Sequence, residues 1–307
     1  MIDTSKFNSL IDVVTTFDSE QKCIDHLTTL RWDGLVISPF DSESKVYVCK
    51  GNKYKCKNTG KYFNVKTNTL FDNTKIKLQK WFLAIYLVTS HKKGISSIQL
   101  GKDIKVTQKT AWFMLHRIRA CFGLDSNDNN KLNNIVEVDE TYVGGKTKNK
   151  HMSKRSKESR GRSLTKSVVM GLLEREGRVI AKKIKNARGA EMLPVVFDNV
   201  EKGASIMSDE YRVYKNLRED YDHQVIRHNQ KEYVDGIIHT NTIEGFWSLL
   251  KRSIVGIYHY VSADHLQKYI DESAFRYNTR LLNEAERMNN LFSNIEVRTT
   301  YKNLING

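Results

Sequence analysis

Proline, cysteine and long apolar runs are all scarce in this sequence. Only two prolines occur in 307 residues, which excludes a proline-rich linker. No apolar stretch approaches the ~20 residues that a membrane-spanning helix needs, so we expect no membrane partner. The four cysteines are scattered, and the first residues lack the basic-then-apolar pattern of a signal peptide. We therefore expect a cytoplasmic protein with reduced thiols.

Acidic residues are too few to balance the basic ones. The chain has 50 Lys and Arg against 35 Asp and Glu, a formal net charge of +15. A surplus of this size indicates a polyanionic partner, usually nucleic acid. Residues 146–166 form a basic insert in which nine Lys and Arg accompany one acid, Glu158. This insert is either a solvated loop or an arm that contacts DNA phosphates through residues such as Lys154 and Arg155.

The spacing of apolar residues divides the chain into segments of different character. The chain begins with apolar residues at helical spacing, continues with short β-rich stretches and a second helical region, and ends with alternating strand-like and helical runs. In chain order we predict a helical segment (1–30), a β module (31–72), a helical DNA-binding region (73–124), an Asn-rich linker (125–134), an α/β domain (135–290) and a C-terminal tail (291–307).

Within the α/β domain, apolar runs alternate with helical patterns. This alternation is typical of a sheet flanked by helices. The predicted strands are 135–143, 167–173, 179–184, 205–208 and 223–227, and the predicted helices are 190–200, a short one from Tyr214, and 241–257.

The helical region contains a candidate helix-turn-helix. A helix at 97–102 is followed by a turn and by a second helix from Gln108, with Thr107 as its N-cap. From the second helix Gln108, Lys109 and Arg117 could contact DNA. The alternative is an ordinary helical hairpin with solvated charges.

Three acidic residues occur where a metal site would need them. Asp139 lies within the first strand of the α/β domain, Asp209 ends a later strand, and Glu244 lies on the last helix. A carboxylate in an apolar strand is costly unless it is paired or binds a cation. Oxygen ligands of this kind suit Mg²⁺, and two such ions can serve phosphodiester chemistry. The alternative for each acid alone is a cap, a turn residue or a solvated helix face.

The helix that carries Glu244 is predicted to have two different sides. Helical geometry places Ile243, Phe246, Leu249 and Leu250 on an apolar side, and Glu244, Ser248 and Lys251 on a polar side. Lys251 and Arg252 would then be able to hold a DNA phosphate.

The sequence resembles the ISXO-like insertion-sequence transposases, bacterial relatives of the Merlin transposons. The motifs that carry the resemblance are Val-Asp-Glu-Thr-Tyr-Val-Gly-Gly-Lys at 138–146, Ser-Asp-Glu-Tyr at 208–211, His-Thr-Asn-Thr-Ile-Glu-Gly-Phe-Trp-Ser-Leu-Leu-Lys-Arg at 239–252 and Phe-Arg-Tyr-Asn at 275–278. This resemblance implies an RNase H-like catalytic fold with a DDE triad.

The resemblance also implies the roles of individual residues. Asp139, Asp209 and Glu244 would be the catalytic acids and the ligands of two Mg²⁺ or Mn²⁺ ions. Lys251 would be their basic partner. Asn241 is an alternative third ligand or a helper, and His239 is a second helper.

The β module departs from the family pattern, which is a zinc ribbon with two Cys-x-x-Cys knuckles. Here the knuckles are Ser38-Pro-Phe-Asp41 and Cys56-Lys-Asn-Thr59, so one cysteine remains of the four ligands that structural zinc needs. We expect a zinc-ribbon-like module without zinc, held by apolar packing. The residues expected to provide that packing are Val46, Tyr54, Tyr62, Phe63 and Phe71.

The resemblance predicts a DDE transposase of a bacterial insertion sequence. Such an enzyme would act at the nucleoid on double-stranded DNA, at terminal inverted repeats and at target sites. It would work as a homodimer or larger assembly, because two element ends must be joined. The alternatives are a catalytically inactive DNA-binding regulator derived from a transposase, and another RNase H-like nuclease such as a resolvase.

Overall fold

The computed structural model describes Phe7 and residues 9–123, 130–144, 166–226 and 239–305. The chain divides into two compact units: Met1–Asp125 with Leu281–Gly307, and Ser126–Arg280. The basic insert lies outside the described residues except for Lys166, and so do Lys154 and Arg155.

The described elements follow the predicted order closely. The helices are α1 (Leu10–Thr16), α2 (Glu20–Trp32), α3 (Leu78–Ser90), α4 (Ser97–Asp103), α5 (Gln108–Phe122), α6 (Gly189–Asn199), α7 (Asn241–Ser253), α8 (Leu266–Asn278), α9 (Glu284–Phe292) and α10 (Tyr301–Ile305), with a 3-10 helix at Arg212–Glu219 and a π-helical turn at Ile254–Tyr258. The strands are β1 (Val46–Cys49), β2 (Lys53–Cys56), β3 (Tyr62–Phe63), β4 (Ile135–Val143), β5 (Ser167–Glu174), β6 (Val179–Ile184), β7 (Ser205–Ser208) and β8 (Asp222–Val225).

Polar side chains fix where several helices of the first unit begin. Ser19 caps α2, and Asn283 forms a capping box with Glu286 at the start of α9. Thr107 accepts a hydrogen bond from Thr110 N at 3.2 Å, which confirms it as the N-cap of α5. Each cap satisfies a backbone N–H that the helix leaves free.

The three-stranded sheet of the first unit is antiparallel, in the order β1-β2-β3. Phe63 is buried, and its ring and the ring of Tyr54 pack against Trp32. Phe71 is fully buried as well. Tyr62 was expected to pack here too, but it is 60% exposed, because it lies on the opposite face of the sheet from its neighbour Phe63.

Arg117 is a structural residue rather than a DNA contact. It is buried, and its Nη1 donates to the carbonyls of Leu70 (2.9 Å) and Asp72 (2.8 Å). Its Nε donates to the carbonyl of Thr299 at 3.0 Å. The prediction that Arg117 reaches DNA is therefore wrong, because its donors already satisfy buried backbone oxygens.

The segment from Leu281 groups with the first unit, whereas the α/β domain was predicted to extend to residue 290. The physical reason is the apolar side of α9, on which Ala285, Met288 and Phe292 are buried. Phe292 packs its ring against Phe82 of α3, with centroids 4.9 Å apart.

The second unit is built on a mixed five-stranded sheet in the order β6-β5-β4-β7-β8. β4, β5 and β6 pair antiparallel, whereas β7 pairs parallel with both β4 and β8. Helices flank this sheet, an arrangement that fits an RNase H-like domain.

Side chains alternate between two apolar clusters on the two faces of this sheet. On one face Val136, Val138 and Met170 pack with Met192 and Val196 of α6. On the other face Val169 and Leu173 pack with Ile243, Phe246, Trp247 and Leu250 of α7, and with α8. Asp139 falls on the α7 face, because it lies one residue beyond Val138. None of the helices in the described part of the chain combines the length and apolarity needed to cross a bilayer.

Candidate active site

Asp139 lies on β4, and Asp209 directly follows the neighbouring parallel strand β7. Val138 of β4 is in register with Ser208 of β7, so an aspartate follows each member of this residue pair. Both aspartates are half-buried. Asp139 Oδ2 accepts a hydrogen bond from Trp247 Nε1 at 2.9 Å, and Asp209 Oδ1 accepts one from Tyr211 N at 2.9 Å. The structure thus brings two of the three predicted acids together.

No positively charged side chain among the described residues compensates the Asp139 carboxylate. Burial raises its pKa from the ordinary 3.8 to about 7, and the charges of Glu140 and Asp209 add to that increase. The hydrogen bond from Trp247 opposes it. A carboxyl group perturbed by burial and by like charges is typical of a functional site.

Trp247 is held beside Asp139 by a glycine. Gly171 of β5 is the cross-strand partner of Asp139. A Cβ atom at position 171 would lie only 2.5 Å from Trp247 Cζ2. The absence of a side chain at Gly171 therefore makes room for the indole ring, and it lets the ring N–H reach the carboxylate.

Glu244 lies in the first turn of α7 and is exposed. Its Oε1 is 3.5 Å from Thr240 Oγ1. Across the described residues, no three His, Cys, Asp or Glu side chains form a group that could hold a metal ion. Asp139, Asp209 and Glu244 therefore do not form such a group among the described residues. Asn241, the alternative third ligand, is exposed at the first residue of the same helix.

The two sides of α7 agree with the prediction, with one exception. Ile243, Phe246 and Leu250 are buried, whereas Leu249 is 46% exposed. Trp247, which was not placed on the apolar side, is buried in its stead. Lys251 and Arg252 are exposed in the last turn.

Sequence analysis missed Glu137, a fully buried acid two residues before Asp139. Its Oε1 accepts hydrogen bonds from Arg175 Nε (2.7 Å) and Thr242 Oγ1 (2.9 Å), and its Oε2 accepts one from Ile243 N (2.9 Å). The available signal was the alternation Val-Glu-Val-Asp, which places Glu137 on the same face of β4 as Asp139.

His239 belongs to the same network. Its Nδ1 lies 2.9 Å from Arg175 Nη2, and its carbonyl accepts from that Nη2 at 2.8 Å. The structure therefore places His239 against Arg175 and 3.3 Å from Glu137 Oε1.

Comparison with known proteins decides the family. A family model described as an ISXO2-like transposase domain matches residues 131–278. A Halobacterium salinarum protein, "Uncharacterized protein in transposable element ISH50", is 30% identical over 275 residues, which cover 84% of this chain and 90% of the relative. This chain belongs to the ISXO2-like transposases. The expected resemblance is thereby confirmed.

A solved structure also aligns with this ISXO2-like transposase. It is the crystal structure of a pre-cleavage Mos1 transpososome, aligned over 98% of this chain and 99% of that one at 10% identity. The TM-score is 0.25, which is too low to support an argument about the fold. The assignment to the family rests on the sequence comparisons alone.

In the first unit of the transposase, α4 and α5 are joined by a short turn, as predicted. Gln108 and Lys109 are exposed at the start of α5. Gln108 Nε2 donates to Ser97 Oγ at 2.9 Å, and Lys109 Nζ lies 5.6 Å from the centroid of the Tyr301 ring. Both side chains are therefore accessible, unlike Arg117.

The two knuckles of the β module meet at Cys56. The thiol is fully buried. Burial alone would raise the pKa of Cys56, but hydrogen bonds with Ser38, Ser44 and Thr59 lower it to about 6. Ser38 and Thr59 stand at the outer positions of the two knuckles. Hydroxyl groups thus surround the sulfur where the family pattern has cysteines.

Proposed function

We propose that this ISXO2-like transposase is a DDE enzyme of an insertion sequence. It binds the terminal inverted repeats of the element, cleaves DNA at the element ends and joins the 3′-hydroxyl ends to target DNA. The observation that carries the proposal is the pair Asp139 and Asp209. Both are half-buried, Asp139 on β4 and Asp209 directly after the paired strand β7, and the charge of Asp209 contributes to raising the pKa of Asp139 to about 7.

A divalent cation fits this pair. Burial and the neighbouring carboxylates leave the Asp139 charge uncompensated, and hard oxygen ligands suit Mg²⁺ or Mn²⁺. Asp139 and Asp209 would hold the ions together with a third ligand, Glu244 or Asn241. When bound, two such ions would activate the attacking oxygen and offset charge on the reacting phosphate.

The chain's own residues would orient the acids and the DNA. The Trp247 indole fixes the orientation of the Asp139 carboxylate through its hydrogen bond to Oδ2. Lys251 and Arg252 project from the last turn of α7 and would bind a DNA phosphate through charge-assisted hydrogen bonds. His239 is engaged by Arg175, so we assign it to the support of α7 rather than to proton transfer.

DNA contacts in the first unit would come from α5 and from the three-stranded sheet. Gln108 and Lys109 are exposed at the start of α5. Residues 45–71 contain seven lysines and no acid. Tyr47, Lys55 and Tyr62 are in register across the three strands, with Tyr47 42% and Tyr62 60% exposed. A basic face with aromatic rings is suited to a nucleic-acid backbone.

The test is cleavage of a labelled element end in Mg²⁺ by the wild type and by the Asp139→Ala and Asp209→Ala variants. We expect both variants to bind the end as tightly as wild type and to lose cleavage and joining. Gel-shift titration on the same DNA provides the binding control. If either variant cleaves at the wild-type rate, the assignment of the acids is wrong.

A second candidate is a DNA-binding regulator derived from a transposase. It is favoured by one observation: the described residues contain no group of three His, Cys, Asp or Glu that could hold a metal. Tight binding of the element end by the wild type, without cleavage in Mg²⁺ or Mn²⁺, would support this candidate.

Assembly follows from the proposed chemistry, because two element ends must be brought together. We propose that the transposase acts as a homodimer or larger assembly when it is bound to DNA. Light scattering of the complex with a short end duplex would measure the stoichiometry. One protein chain per complex at saturating protein would contradict this proposal.

A further inference from the structure

The carboxylate of Glu137 is fully buried and joins three separate parts of the second unit. Arg175 follows β5 and donates from Nε at 2.7 Å, while Thr242 and Ile243 of α7 donate from a hydroxyl and a backbone N–H, each at 2.9 Å. Two elements are therefore connected to β4 through one side chain. A buried charge of this kind is tolerated only because all these donors are in place.

Helix α7 lacks a cap of its own. Its N-cap residue, Thr240, makes no capping hydrogen bond with its side chain. The first turn of a helix leaves backbone N–H groups without partners. One of them, Ile243 N, donates to Glu137 Oε2. A negatively charged group at this end also interacts favourably with the helix dipole. The cap of α7 is thus supplied by the sheet.

Arg175 fixes the chain as it enters α7. Its Nη2 donates to the carbonyl and to Nδ1 of His239. Its backbone N–H donates to the carbonyl of Ile135 in β4 at 3.0 Å. The guanidinium therefore compensates the charge of Glu137 and holds the residue that precedes Thr240. These contacts act on the position of the helix and not on any reacting atom.

α7 is attached to β4 at two points on one face. Ile243 N contacts Glu137, and Trp247 Nε1 contacts Asp139. Ile243 and Trp247 are about one helical turn apart, or ~6 Å along the helix axis. Glu137 and Asp139 are two strand residues apart, also ~6–7 Å. The two spacings match, so the contacts together fix the register of the helix along the strand.

We infer that Glu137 is a positioning residue, which sets the register of α7 on β4 and so the place of Glu244 relative to Asp139. This inference rests on the proposed function, because it assumes that Glu244 and the aspartates share divalent ions. Glu137 itself touches no substrate in this role. It acts through α7.

The test compares Glu137→Gln with a matched control, Val138→Ala. The glutamine side chain keeps the size of the original, but its amide N–H₂ must face either Arg175 Nε or Ile243 N, which can only donate. Val138 is fully buried on the opposite face of β4, so its truncation destabilises the sheet without touching α7. Calorimetric titration with Mn²⁺ alone measures metal affinity, urea unfolding measures stability, and gel shift measures binding to the element end.

We expect Glu137→Gln to weaken Mn²⁺ binding by about tenfold or more, as is typical when a group that orients metal ligands is lost. Cleavage at saturating DNA should fall by a similar factor while end binding is unchanged. Val138→Ala should lose stability but keep the wild-type Mn²⁺ affinity. Equal Mn²⁺ affinities in wild type, Glu137→Gln and Val138→Ala would overturn the inference and leave the proposed function standing.

A milder variant covers the case in which Glu137→Gln does not fold. Thr242→Val removes one donor to Glu137 and leaves its ion pair with Arg175 in place. We expect it to fold and to weaken Mn²⁺ binding by about threefold, less than the full contribution of a hydrogen bond to a charged group, because Arg175 and Ile243 N still hold the carboxylate. Unchanged Mn²⁺ affinity in this variant would count against the inference. Absence of Mn²⁺ binding and cleavage in the wild type would overturn the proposed function, and the inference with it.

Discussion

Replacement of Asp139 by Asn should stabilise the metal-free protein while abolishing its activity. The pKa of Asp139 is raised to about 7 by burial and by the charges of Glu140 and Asp209. The ionised side chain is therefore unfavourable in the folded protein at neutral pH. Asparagine removes the charge, and its carbonyl oxygen can still accept the hydrogen bond from Trp247 Nε1.

The size of the effect follows from the two pKa values. A change from 3.8 to about 7 corresponds to an upper limit of about 4 kcal/mol. The carboxylate is only half-buried, and solvent screens part of the repulsion, so we expect about 1–2 kcal/mol. For a domain of this size the unfolding temperature should rise by about 2–8 °C.

The stability difference between wild type and Asp139→Asn should depend on pH. Because the folded-state pKa lies above the unfolded-state value, the folded protein binds the proton more tightly between pH 4 and 7. Wild-type stability therefore falls as pH rises through this window. The advantage of Asp139→Asn should be largest at pH 8 and almost absent at pH 4.

Urea unfolding in EDTA, at pH 4 and at pH 8, measures these differences. Glu201→Gln is a suitable control, since Glu201 is an exposed acid in the same unit. It should change stability little at either pH. Added Mg²⁺ should stabilise the wild type by about 1.4 kcal/mol for each tenfold excess over its dissociation constant, and Asp139→Asn hardly at all. If Asp139→Asn is less stable than wild type at pH 8, the electrostatic argument is wrong.

Three further predictions concern other parts of the molecule. Gly171→Ala should push the Trp247 ring away from Asp139, lower the free energy of unfolding by about 1–3 kcal/mol and slow cleavage. Wild-type urea unfolding and wild-type cleavage in this variant would contradict the close packing of the Trp247 ring on Gly171. Arg117→Met should lower the free energy of unfolding in urea by about 2–4 kcal/mol, because three backbone carbonyls lose their donor. Weaker DNA binding with unchanged stability would instead support the prediction that Arg117 contacts DNA. Metal analysis should find no zinc, and EDTA should leave the unfolding temperature of the first unit unchanged; a fall in that temperature would reveal a metal at Cys56.

Apolar spacing was sufficient to predict much of the fold. Strands β4, β6 and β7 begin and end at the predicted residues, because each is a short apolar run bounded by polar turns. Thr107 was predictable as a cap because its hydroxyl has a fixed local partner. Local signals of this kind do not depend on the rest of the chain.

Features that depend on distant partners could not be predicted. Arg117 has the composition and the helix position of a DNA contact, and it is buried because carbonyls 45, 47 and 182 residues away lie around it. The end of the second unit at Arg280 likewise depends on the packing of α9 against α3. In the candidate site, the sequence indicated the three acids and their order. It did not indicate that the three would fail to form one group among the described residues.

The contrast between Glu137 and Asp139 is the strongest physical argument for a functional site in this transposase. Both are acids on one face of β4, two residues apart, and nothing in the alternation Val-Glu-Val-Asp distinguishes them. Glu137 has a guanidinium, a hydroxyl and a backbone N–H as donors. Among the described residues, Asp139 has only neutral donors, the Trp247 indole N–H and the Glu140 backbone, and two carboxylates nearby. A fold that compensates one buried acid so fully and leaves its neighbour in repulsion sacrifices stability at the second position. A cation bound at Asp139 would remove that repulsion. Such a cation would by itself explain why the fold leaves the Asp139 carboxylate without a charged partner among the described residues.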